Sequence, residues 1–314
     1  ETINKKGAGF RFDDDFIMRA CLVLTDVSVS LKLQSFKKEN INKIIEEWQN
    51  IKNAITNAVD MIVTFGFNWE NLTSQNAVIP IAYYLIKGGS SDQTSKNELR
   101  RLFVHSLLMQ IYGGQGDQVL SNIRDGFRFD SSKDPNKHNY VLRQKSFMLK
   151  EFLKNLSLPS NKTLEITEKD VQEILQYKKG AYSFMVLSLL YPNIKMAQVQ
   201  FHQDHIHPSS SFTNTKLKNG GVPSDKWKNW QDMKDELPNL QLMEGPENES
   251  KNKTPFKDWL YGKKDKGVPN VPDIQKFITD NYIPDTNYDL IYFDAFFEAR
   301  KQILREKIKN ILDI

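Results

Sequence analysis

Apolar positions recur at helical spacing through residues 13–190, and every element they predict there is a helix. Asp13, Asp14 and Asp15 suit a helix N-terminus, and Phe16, Ala20, Leu22 and Val23 form the buried stripe that follows. One long helix is predicted over 38–65, with Ile41, Ile44, Ile45, Trp48, Ile51, Ile55, Val59 and Ile62 facing the core and Gly66 as its stop. Thr73 is placed to cap the next helix, with Asn76 where a capping box has an acid or glutamine. Residues 77–86 are apolar enough to be buried, and Gly88-Gly89-Ser90-Ser91 breaks that run. Further helices are expected at 96–111, 119–123, 140–156 and 167 to about 190. No fixed repeat or low-complexity tract occurs.

The period then changes. Val199 and Phe201 alternate with Gln198, Gln200 and His202, as in a half-buried strand, and Pro208, which lacks an amide donor, marks its end. Leu240 and Leu242 alternate with Asn239, Gln241 and Met243 as a second strand, followed by a turn at Glu244-Gly245. Pro246 suits a first helical turn, so 247–253 reads as a short helix before Thr254-Pro255. Short helices at 255–261 and 273–281, and a long one over 288–311, complete the chain. The expected organisation is a helical domain, 1–193, and a strand, loop, strand, helix unit embedded in further helices, 194–314.

Composition narrows this little. A chain of 314 residues with 39% hydrophobic and 26% charged residues is an ordinary globular protein, and its longest apolar run is too short to span a bilayer. Cys21 is the only cysteine, which excludes an intramolecular disulfide and a CxxC zinc pair and favours an intracellular compartment. The start, ETINKKGAGFRFDDD, lacks the features of a secretory signal and reads as a truncated or processed terminus. The net charge of +4 permits nucleic-acid binding without demanding it. In the loop 216–234, Lys216, Lys218, Lys226, Lys228 and Lys234 can neutralise phosphates, whereas Trp227 and Trp230 are better explained as packing than as stacking platforms.

Three of the five histidines, His202, His205 and His207, fall within one window beside Asp204. A strict pleat aims Asp204 and His205 to opposite faces, so they serve one site only if the strand ends or bends there. Three imidazoles near an acid also suit a zinc site, although residues so close on a strand seldom present three rings to one ion. His105, within LFVHSLL, reads as a packed histidine, and His138 as a solvated one.

The order Asp204-His205-Ile206-x-Pro208, Asn239-Leu240-Gln241-Leu242 and Asn248-x-x-Lys251 resembles the HNH, or His-Me finger, nuclease motif, with its later positions both asparagine and nine residues apart (248 − 239 = 9). More narrowly, DHIHP, LPNLQLMEGPENESKNKTPF and the terminal FFEARKQIL resemble the C-terminal nuclease domain of GmrSD-type restriction proteins, while FDDDFIMRACLVLT and NLTSQNAVIPIAYYLIK resemble their helical region. The resemblance implies a mainly α protein carrying a ββα-metal (HNH-like) nuclease core, a bacterial cytoplasmic setting, and defence against foreign DNA bearing modified bases. It implies His205 as general base, Asp204 and Asn248 as ligands of one Mg2+, Mn2+ or similar divalent cation, and Lys251 at the phosphate. Asn239 is read as orienting the His205 loop rather than touching metal. His202, His207, Asn252 and Arg300 are candidate substrate contacts, with surface exposure or an internal salt bridge as their plain alternatives. The family's N-terminal NTPase domain has no counterpart in these residues, so it would be a partner from outside this chain. A homodimer is compatible with cutting both strands. The competing function is a non-catalytic adaptor that holds DNA or a protein partner.

Overall fold

Short polar side chains set several helix starts. The Asp13 carboxylate accepts the Phe16 amide at 2.8 Å, Asp273 accepts that of Lys276 at 2.9 Å, and Thr167 and Asp170 form a reciprocal capping box. The computed structural model describes residues 2–134, 137–191, 201–263, 267–312 and 314, and it is mainly helical with two small antiparallel sheets. Two compact units divide it, Glu1–Ile166 and Thr167–Ile314.

The first unit contains α1 (Asp14–Leu24), α2 (Lys38–Glu46), α3 (Trp48–Thr64), α4 (Val78–Ile86), α5 (Gln93–Leu108), α6 (Gly116–Phe127) and α7 (Leu149–Leu153). Between α6 and α7, β1 (Arg128–Asp130) pairs antiparallel with β2 (Tyr140–Leu142). Packing centres on α4, whose residues from Val78 to Tyr84 are all buried.

Four expectations need correction here. The helix over 38–65 is two helices parted at Glu47, and Ile41, Ile45 and Trp48 are exposed rather than core-facing. Residues 140–142 form a strand and not the start of a helix, because the Arg128 guanidinium lies 3.7 Å from the Tyr140 ring centroid and the backbones pair. The layer is therefore not all-helical. Thr73 does not cap α4, which a 3-10 turn at Gln75–Ala77 precedes with no side-chain cap.

The second unit contains α8 (Glu168–Leu175), α9 (Ala181–Leu190), β3 (Phe201–His205), α10 (Asn214–Asn219), α11 (Trp227–Met233), β4 (Leu240–Glu244), α12 (Gly245–Lys251), α13 (Phe256–Tyr261), α14 (Ile274–Asp280) and α15 (Phe293–Leu312). The expected single helix from 167 is thus two, separated at Gly180. The expected boundary at 193/194, and Gln198, Val199 and Gln200 of the predicted strand, lie outside the described residues.

α8 and α9 belong with the second unit for visible reasons. Arg305 of α15 pairs with Glu168 at 2.7 Å, and Gln203 of β3 donates to Ser183 at 2.8 Å while accepting the Gly180 amide at 3.0 Å. β3 and β4 pair antiparallel, with Asp204 opposite Gln241 and His205 opposite Leu240. One apolar cluster gathers Ile206, Met243, Phe256, Trp259 and Phe296; another gathers Phe212, Leu217, Trp230, Phe293 and Phe297. Among the described residues, no helix is long and apolar enough to cross a membrane.

Candidate active site

β3 runs through His205 and ends there, three residues before Pro208. As the pleat requires of neighbours, Asp204 and His205 find different partners. The Asp204 carboxylate is buried and places Oδ2 against two donors, Lys251 Nζ at 2.8 Å and Gln241 Nε2 at 3.0 Å. Its Oδ1 accepts no hydrogen bond among the described residues. α12 packs against both strands and carries Asn248, half-buried, whose side-chain amide also makes no hydrogen bond among the described residues.

The His205 ring is held from the other side. Its Nε2 lies 2.8 Å from Oδ1 of Asp235, whose Oδ2 takes the ammonium of Lys234. Nδ1 has no protein partner among the described residues. Burial lowers the His205 pKa from the ordinary imidazole value; the hydrogen bond that the ring donates to Asp235 opposes it, and Asp204 also pulls it upward. At Asp235 burial raises the carboxyl, but the Lys234 and His205 hydrogen bonds outweigh it and hold the pKa below its usual value. Asp235 was not read from the sequence: in KDELPN it is one acid in a charged run, and only the turn before β4 brings it to the ring.

Asn239 takes the place expected of it. Fully buried, it accepts the His207 amide at 2.9 Å and donates to the carbonyls of His207 at 3.1 Å and Lys234 at 2.7 Å. It touches backbone on both sides of the site and no substrate-facing surface.

Three candidate substrate contacts lie in the interior instead. Lys251 is 0% exposed, and its ammonium is committed to Asp204 and, at 2.6 Å, to the His205 carbonyl. Burial pulls its pKa down, with Asp204 acting against that shift. Arg300 is also 0% exposed and donates to the carbonyls of Pro238 at 2.8 Å, Leu240 at 2.7 Å and Asn281 at 3.1 Å. It pins the turn before β4 and has no carboxylate partner among the described residues. His207 is buried among the rings of Phe256, Phe293 and Phe296, its Nε2 unpartnered, and burial pushes its pKa down to about 3.

His202 is half-buried, its Nε2 only 3.6 Å from where a Cβ on Gly245 would sit, so it lies against the start of α12. Asn252 is exposed and ends α12 with φ at +42°, a conformation asparagine tolerates better than most residues. The three clustered histidines therefore do not converge. Among the described residues, no group of three His, Cys, Asp or Glu side chains gathers for a metal.

The oxygens that do remain available suit a hard cation. Mg2+ keeps several waters and is usually held by one or two protein carboxylates together with substrate phosphates. Asp204 Oδ1 and the Asn248 side-chain oxygen, carried on one strand and on the helix packed against it, are the oxygens such an ion would use here.

The remaining aromatic and histidine expectations agree with the structure. Trp230 is buried, with its Nε1 donating to Asp294, and Trp227 Nε1 donates to the Val222 carbonyl at 2.9 Å, so neither indole is a free platform. His105 is packed, its Nδ1 2.9 Å from the Leu164 carbonyl, and His138 is exposed and paired with Asp130 at 2.6 Å. No protein-family model matches the chain, and no curated protein matches it.

Proposed function

We propose that the second unit hydrolyses DNA phosphodiester bonds as a metal-dependent endonuclease of the HNH, or His-Me finger, kind. The observation that supports this reading is that β3, β4 and the helix α12 packed on them carry three polar groups with no hydrogen-bond partner among the described residues: His205 Nδ1, Asp204 Oδ1 and the Asn248 amide. The motif order and spacing supply the second support, and through it the suggestion of bacterial defence against modified foreign DNA.

In this reading Asp204 and Asn248 hold one divalent cation, Mg2+ or Mn2+. When bound, it would supply Lewis-acid stabilisation of charge on the phosphate and the leaving oxygen. His205 takes a proton from water at Nδ1, which suits an imidazole whose Nε2 is already engaged. Lys251 holds the strand end by bonding the Asp204 carboxylate and the His205 carbonyl together, so base and ligand stay in fixed relation. Asn239 and Arg300 fix the turn that faces them.

The test is cleavage of supercoiled plasmid, modified phage DNA and RNA by the purified chain with Mg2+ or Mn2+, beside His205→Ala. Metal-dependent cutting that vanishes in the variant is expected. Equal cutting by the variant would overturn the assignment, and binding of DNA without any cutting would turn the reading to the adaptor.

A further inference from the structure

We propose that Asp235 is the positioning residue for His205, fixing the imidazole with its proton on Nε2 so that the Nδ1 lone pair is left to act as the base; this rests on the nuclease reading of the site. The tautomer follows from the partner. An ionised carboxylate can only accept hydrogen bonds, so the 2.8 Å contact between Asp235 Oδ1 and His205 Nε2 requires the ring nitrogen to donate. A neutral imidazole has one N–H, and Nδ1 is then the base.

The carboxylate is itself held, which separates it from a chance surface acid. Its second oxygen receives Lys234 Nζ. Its backbone carbonyl accepts the Lys179 amide at 2.8 Å, and the carbonyl of the preceding residue, Lys234, accepts Asn239 Nδ2 at 2.7 Å. Asn239 also bonds the His207 backbone through both its amide and its carbonyl. One buried asparagine thus staples the segment two residues after His205 to the segment just before Asp235, and so sets the distance between ring and carboxylate. Sequence motifs pick out His205 and Asn239; the third member becomes visible only when the turn is folded.

The full chain labelled with 15N-histidine tests this through the two ring nitrogens of His205, assigned by the signals lost in His205→Gln. The wild type should show Nε2 protonated and Nδ1 bare at neutral pH, and Asp235→Ala should show a mixture of tautomers. Asp235→Asn can turn its amide donor to the ring and should raise the Nδ1–H form. A wild-type ring protonated on Nδ1, or an unchanged tautomer in Asp235→Ala, would overturn the proposal.

In the cleavage assay Asp235→Asn should lower kcat by about 100-fold, within the usual range for acid–base catalysis, with KM little changed. Asp235→Glu should restore part of it, and an unaltered kcat in Asp235→Ala would also refute the role. The Asp235 side chain is 34% exposed, so these variants are expected to fold. If the wild type cuts no nucleic acid, the nuclease reading fails, and the ring tautomer still decides whether Asp235 fixes His205.

Discussion

Replacing Lys251 with methionine isolates the interaction that joins the two halves of the candidate site. Methionine keeps most of the apolar stem and removes the ammonium, which sits 2.8 Å from Asp204 Oδ2 and 2.6 Å from the His205 carbonyl. Each is a charge-assisted hydrogen bond of a buried donor, and such bonds contribute roughly 1.5–3 kcal/mol apiece. Asp204 keeps the Gln241 donor and can hydrate at its open oxygen, which returns part of that sum. The net cost should be about 3 kcal/mol, as for a buried pair left with one partner. Amide hydrogen exchange of β3 and β4 reads this directly, because it reports opening of the second unit alone. In an Asp204→Asn background the same lysine change should cost clearly less, leaving a coupling of about 1 kcal/mol or more. A loss below about 1 kcal/mol, or strictly additive variants, would refute the claim that the pair holds the strand end.

Other expectations concern single side chains. The His207 ring has a folded-state pKa of about 3 against 6.5 in its ordinary state, so the unfolded chain takes the proton first as pH falls. Stability from keeping it neutral is full above the unfolded value and is lost as pH drops towards the folded one, by roughly 1.4 kcal/mol per pH unit. His207→Leu should therefore flatten the acid side of the thermal-melting profile between neutral pH and pH about 4. Arg300→Lys should destabilise the second unit by about 3 kcal/mol in denaturant melts, since an ammonium cannot span carbonyls that the guanidinium reaches from several nitrogens. Lys179 is exposed, makes no ion pair among the described residues, and its charge is felt at His205. Lys179→Ala should raise KM for DNA and reduce the salt slope by about 1, with kcat retained.

Legibility from sequence followed how local each determinant is. The starts of α1, α8 and α14 were readable because their caps lie within one turn of them. So was the strand, strand, helix order, because its Gly and Pro punctuation is local, although β4 is buried at four consecutive positions rather than alternately. The strand at Tyr140–Leu142 was not, since its determinant is a partner strand and a stacked arginine ten or more residues upstream. Nor was the exposure of Ile41, Ile45 and Trp48, because an amphipathic stripe states that a face is apolar and not that anything covers it.

Asp204 and His205 stood out by their clustering, and Asn239 and Asn248 by the motif that the chain resembles. Lys251, Arg300 and His207 were candidate substrate contacts through the resemblance; the fold instead satisfies the first two internally, with a carboxylate and with carbonyls, and buries the imidazole among aromatic rings. Asp235 carries no motif at all.

The central claim, that His205 is the base of a phosphodiester hydrolysis, is tested most directly by chemical rescue. His205→Gly removes the imidazole and leaves space for one supplied in solution. Cleavage of DNA in Mg2+ should fall to background in the variant and return as imidazole is added, with no such return when a neutral salt is added at the same ionic strength. Cleavage by His205→Gly at the wild-type rate would contradict the account.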